Sequence, residues 1–108
     1  MKKYKSEITG NVDIFVGQHE DEIDGEIIKW QDVLIHGDPE GLKSLAALLI
    51  KIADTNQDDM ADLPIGAREH IHLRPKYDLS NSSIQVIIGR LDAKGTGAFY
   101  DRCIPREK

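Results

Sequence analysis

The sequence predicts an α+β fold in which a single amphipathic helix packs on a mostly antiparallel β-sheet. Three observations favour this class. Apolar residues recur at helical spacing in one stretch, which begins after Asp38. Segments with the pattern of β-strands lie on both sides of that stretch. No repeat, linker or low-complexity tract divides the 108 residues, so we expect one domain spanning residues 1–108.

Two extended segments are predicted before the helix. Val12 to Val16 largely alternates apolar and polar residues, which predicts a strand that ends at Gly17. The polar run from His19 to Gly25 is predicted to be a solvated loop. A second strand is expected from about Glu26 to Ile35, and its Trp30 is assigned to the core in preference to an interface.

The helix is predicted from its start signals and its apolar stripe. Asp38 can cap the first turn, and Pro39 suits the first helical position. The stripe then continues to about Asp54, and it predicts that Leu45 and Leu49 are buried against the sheet. A polar, acidic loop should follow from residue 55 to residue 62.

Glu69 to Arg74 is predicted to be a strand that stops at Pro75. Alternation places Ile71 and Leu73 towards the helix. The opposite face should carry His70, His72 and Arg74.

The last third of the chain predicts a turn, a strand and a hairpin loop. Residues 79–83 have the composition of a turn, and Ile84 to Leu91 is the most apolar segment, which predicts a central strand. Asp92 to Gly97 should form a hairpin loop before residues 98–100.

Charge is distributed unevenly along the chain. Thirteen of the nineteen carboxylates lie between Asn11 and Asp62 with only three lysines, which gives this stretch a formal charge of −10 against −5 for the whole chain. Such a field favours a basic protein partner over nucleic acid. We therefore expect a partner to bind at two acidic clusters. The first comprises Glu20, Asp21, Glu22 and Asp24, and the second comprises Asp54, Asp58, Asp59 and Asp62.

His70 and His72 are the sharpest candidates for a metal site, because residues two apart on a strand project to one side. Two imidazoles do not complete a zinc site, and no third ligand has a diagnostic spacing. We therefore predict no metal and no cofactor. Two alternatives stay open: a small metal-binding domain or enzyme that uses this strand face, and a scaffold that self-associates through Trp30 and an exposed sheet edge.

The compartment and the partner classes are predicted from what the sequence lacks. Cys103 is the only cysteine, which suits the reducing cytoplasm. No apolar segment follows the basic start at residues 1–5, and no stretch approaches the length of a membrane span. We expect a cytoplasmic protein without a membrane partner, either a monomer or a weak homodimer.

The segment from His36 to Ala46 carries a Gly-Asp-x-x-Gly-Leu helix start, and residues 70–73 carry a His-x-His-Leu strand. Together with the strand from Ile84 to Asp92, these motifs resemble the immunity proteins of bacterial polymorphic toxin systems, specifically the immunity protein thirty-two family. The resemblance implies a small α+β protein that binds and neutralises a cognate toxin domain stoichiometrically, and that is not an enzyme. The acidic charge suits a basic, nuclease-like toxin, and the face of His70, His72 and Arg74 is a further candidate surface for it.

Overall fold

The computed structural model describes residues 5–107. Its elements follow the order β1 (Val12–Ile23), β2 (Glu26–Gly37), α1 (Pro39–Asp54), β3 (His70–Leu73) and β4 (Val86–Gly89). A short 3-10 turn, Gln57–Asp59, lies between α1 and β3. The predicted α+β class with a helix packed on antiparallel strands is confirmed, but the strands form two separate two-stranded sheets, β1–β2 and β3–β4.

β1 and β2 form a long antiparallel hairpin of 12 residues per strand. Its connection is the two-residue turn Asp24-Gly25, whose φ angles of 53° and 82° are left-handed. An Asp-Gly pair favours this turn because both positions need positive φ, and the turn matches the twist of the strands. The predictions that β1 ends at Gly17 and that His19 to Gly25 is a loop are therefore wrong.

α1 begins and ends as predicted. Asp38 Oδ1 accepts a hydrogen bond from Gly41 N at 2.7 Å, and Pro39 occupies the first helical position. Leu45 is buried as expected, together with Leu48 and Ile52. Leu49, however, is 43% exposed, because the side of the helix on which it lies is only partly covered by the sheet.

β3 and β4 pair over four residues each, from His70↔Gly89 to Leu73↔Val86. The predicted central strand is therefore shorter than expected, and within the described residues it pairs with β3 alone. Residues 80–84, which precede β4, instead form backbone hydrogen bonds to β1 at the base of the hairpin. Ser80 N donates to Val12 O at 2.9 Å, and Ile84 N donates to Ile14 O at 2.8 Å.

The core lies where the hairpin base, α1 and the second sheet meet. Val12 is fully buried at its centre. The buried cluster comprises Ile8, Val12, Ile14, Leu45, Leu48, Leu73 and Leu79. Trp30 is 44% exposed and lies outside this cluster, so its assignment to the core is wrong.

The end of α1 is fixed to the second sheet by Arg90. Its Nη1 donates to the carbonyl oxygens of Ile52, Ala53 and Thr55 at 2.8 to 3.0 Å. Its Nε and Nη2 form a fork on the Asp92 carboxylate at 2.8 Å. The guanidinium therefore caps carbonyls in and just after the last turn of the helix.

Candidate partner-binding surface

The distal part of the hairpin, residues 16–33, projects from the core and is called the arm here. The Cα radius of gyration is 17.5 Å, whereas a compact domain of this length has about 13 Å. β1 alone continues for roughly 25 Å beyond Phe15, at about 3.3 Å per residue. The arm carries six carboxylates and one lysine. It is therefore an extended, acidic structure with most of its side chains in solvent.

The first predicted acidic cluster lies at the tip of the arm. Glu20, Asp21, Glu22 and Asp24 are all exposed. Register pairs Glu20 with Lys29, and Glu22 with Ile27, so these two glutamates share one face of the hairpin. Asp21 is on the opposite face, where its Oδ1 accepts a hydrogen bond from Glu22 N at 2.8 Å. The hairpin thus gathers four residues that the sequence analysis placed in a loop.

An aromatic cluster on the arm was missed by the sequence analysis. Trp30 is directly opposite His19 in the register, and the two rings stack with their centroids 5.5 Å apart. His19 Nε2 lies 2.9 Å from Asp32 Oδ2, which fixes the imidazole against the indole. The signal that could have found this cluster is the Asp-Gly pair, since a hairpin with that turn places positions 19 and 30 opposite each other.

The second predicted acidic cluster, which begins at the last residue of α1, differs from the first because two of its carboxylates accept hydrogen bonds from nearby loop residues. Asp58 Oδ1 accepts a hydrogen bond from Gly95 N at 2.8 Å, and Asp59 Oδ2 accepts one from Asn56 Nδ2 at 2.8 Å. Asp58 therefore holds this loop to the turn after β4, whereas the hydrogen bond of Asp59 stays within the loop. Asp54 and Asp62 are exposed in the same region. Within residues 5–107, no hydrogen bond or salt bridge joins this cluster to the tip of the arm.

His70, His72 and Arg74 are exposed on one side of β3 and the residue after it, while Leu73 is buried on the other. The alternation predicted for this segment is therefore right. The two imidazole centroids are 5.2 Å apart. In the part of the chain that the structure describes, no third histidine, cysteine or carboxylate joins them in a group that could hold a metal ion. The absence of a metal stays a prediction.

The titrating groups with perturbed pKa values lie in hydrogen-bonded junctions of the fold. Backbone and side-chain donors of Asn11 and the amide of Gly41 lower the pKa of Asp38. The hydroxyls of Ser80 and Ser82 lower the pKa of Asp13. The fork with Arg90 lowers the pKa of Asp92 and raises that of the guanidinium. In each case hydrogen bonding favours the charged form, which stabilises the fold.

The Gly-Asp-x-x-Gly motif lies at the junction between β1 and α1, and the contacts of Asp38 explain it. Asp38 also accepts from Asn11 N at 3.1 Å and from Asn11 Nδ2 at 2.8 Å, so one carboxylate joins β1 to the start of α1. A Cβ on Gly41 would lie 2.1 Å from Asn11 O, which leaves no room for another residue. These contacts give the motif a structural role.

Comparison with known proteins assigns a family. The family model described as Immunity protein 32 matches residues 32–91, a segment that includes all of α1, β3 and β4. No curated protein and no solved structure matches the chain. No helix among residues 5–107 has the length and apolar character needed to cross a bilayer. Because the family model matches more than half of the 108 residues, the chain belongs to the Immunity protein 32 family.

Proposed function

We propose that this chain is a stoichiometric immunity protein that binds and neutralises a cognate bacterial toxin domain in the cytoplasm. It acts as one domain and is not an enzyme. The observation that carries the proposal is the arm, which presents an exposed tryptophan among six carboxylates. Tryptophan is enriched among residues that dominate binding energy, and carboxylates around it favour a basic partner.

The position of the arm relative to the family match supports this assignment. The match begins at residue 32, so it includes the helix and the second sheet but not the acidic tip. We infer that the matched segment supplies the common scaffold, whereas the tip recognises one particular toxin. A basic, nuclease-like toxin is the partner that best complements the charge of the arm.

The charge of the tip is tested by neutralisation. The double variant Glu20→Gln, Glu22→Gln tests the tip, and the double variant Asp54→Asn, Asp62→Asn tests the second acidic cluster. The control is the double variant Asp101→Asn, Glu107→Gln. Each of the three removes two exposed negative charges. The probe is the toxin-like C-terminal domain encoded beside this chain's gene. At low salt, we expect the tip variant to associate about 3- to 10-fold more slowly, and the difference should shrink at high salt. Equal association rates for the tip variant and the control would exclude the tip from the interface.

The aromatic cluster is tested by Trp30→Ala. We expect an affinity loss of about 30-fold or more for the same toxin domain, since truncation of a central interface tryptophan costs roughly 2 kcal/mol or more. The control is Phe99→Ala, which removes another exposed aromatic side chain outside the arm. Growth protection of cells that express the toxin should follow the measured affinities. If Trp30→Ala binds and protects like the parent, this face of the arm does not contact the toxin.

A further inference from the structure

An apolar groove of about 360 Å³ opens between the hairpin, α1 and β4. One wall is formed by Val33 and Ile35 of β2, and another by Leu45 and Leu49 of α1. Ile14, Ile84, Val86 and Ile88 complete the apolar lining, and Gln85 is the one polar residue that lines it.

The groove is open to solvent, although Ile14 and Leu45 of the buried cluster also line it. Val33 is 66% exposed, and Leu49 is 43% exposed. Ile35 and Ile84 are exposed as well. Burial of this apolar surface by a partner would release water from every wall at once, which is a favourable contribution to binding.

The charge of the adjoining arm decides between two occupants. Val33 belongs both to the arm and to the groove wall, so any molecule seated in the groove lies beside the arm. A second copy of this chain seated there would add the six carboxylates of its own arm to the like charge of the first arm. A basic toxin would bring the complementary charge.

We propose that the groove receives an apolar side chain of the toxin, carried by a segment with flanking lysine or arginine residues. This inference rests on the proposed function and adds an anchoring site to it. The arm then governs the rate of association through its charge, whereas the groove governs the rate of dissociation through burial.

Adjacent residues of α1 provide a matched test. Leu49 lines the groove, whereas Ile50 is 61% exposed and does not line it. We expect Leu49→Gln to weaken binding of the neighbour-encoded toxin domain about 10- to 100-fold, mainly through faster dissociation. Ile50→Gln should bind like the parent. Equal dissociation rates for Leu49→Gln and Ile50→Gln would overturn the groove as an anchoring site.

A second pair of variants guards against effects on folding. Val33→Thr changes the groove wall on a strand, and Ile87→Thr introduces the same polar side chain at an exposed position of β4 outside the groove. All four variants should unfold cooperatively, and only the two groove variants should release the toxin faster. If the folded Val33→Thr dissociates no faster than Ile87→Thr, the inference also fails.

The alternative occupant and the failure of the proposed function have separate signatures. If sedimentation shows that the parent is a homodimer and that Leu49→Gln is a monomer, the groove is assigned to a second copy and this inference is overturned. If the parent does not bind the toxin domain at all, the proposed function fails together with the groove. Binding by the parent with no difference between matched variants removes the groove alone.

Discussion

Asp38 has the most densely connected carboxylate at the junction between β1 and α1. It accepts hydrogen bonds from Asn11 and from Gly41, and therefore fixes where the hairpin ends and where the helix begins. Asp92 has a comparable position at the other end of the helix, through its fork with Arg90. Asp38 thus holds the start of α1, and Arg90, which Asp92 positions, holds its end.

These carboxylates predict a loss of stability in acid. The pKa values of Asp13, Asp38 and Asp92 are lowered from the ordinary 3.8. A group with a lowered folded-state pKa contributes its full stability above its unfolded value, and loses that contribution as pH falls through the folded value. Urea unfolding should therefore show the free energy of unfolding falling as pH drops below about 4.

Asp38→Asn separates one of these contributions from the others. Asparagine still caps a helix but does not titrate in this range. The variant should be less stable than the parent at pH 7 and should lose less further stability on acidification. If its free energy of unfolding falls as steeply as that of the parent, Asp38 does not contribute to the acid sensitivity.

At the scale of elements, α1 is held to the core mainly through Leu45, Leu48 and Ile52. Leu45→Ala should lower the free energy of unfolding by about 2–5 kcal/mol, because it opens a cavity in a packed site. Leu45→Asp should abolish cooperative unfolding, since it places an unpaired charge there.

Leu49→Ala is the natural comparison for Leu45→Ala. Its side chain is exposed to solvent in the groove, so the loss of stability should be clearly smaller than for Leu45→Ala. Both values are measured by chemical denaturation at neutral pH. Equal losses would mean that the two leucines are equally buried, which contradicts the packing described above.

The helix could be predicted from the sequence because its signals are local. The cap, the proline and the apolar stripe all lie within the element itself. The hairpin could not be predicted in full, because polar residues occupy both faces of its tip and conceal the alternation that marks a strand. The Asp24-Gly25 pair is the one local signal for the turn.

The exposure of Trp30 could not be predicted, because it depends on how far the hairpin extends beyond the packed base. The same holds for Leu49 and the groove, which require the placement of α1 relative to two sheets. Of the candidate surfaces, the sequence identified the charged residues of the tip but not the stack of His19 on Trp30 beside them. Side-chain identity shows which residues carry charge, whereas tertiary placement determines which apolar residues are left in solvent.

At the scale of the whole molecule, we predict that the purified chain holds no stoichiometric metal. His70 and His72 are adjacent, yet two imidazoles bind zinc weakly without further ligands. Elemental analysis of untagged protein, purified without chelator, should find well below one metal ion per chain. An equimolar zinc content that is lost in the double variant His70→Ala, His72→Ala would favour the metal-binding alternative.

The stack of His19 on Trp30 gives the molecule a built-in optical reporter. Trp30 is the only tryptophan in the sequence, and it lies on the arm. Its fluorescence therefore reports the surroundings of one strand and is largely insensitive to the packing of the core. A change in emission on addition of a ligand would locate that ligand near the arm without any introduced label. By the same reasoning, global unfolding should be followed by circular dichroism, because an emission change can arise while the core stays folded.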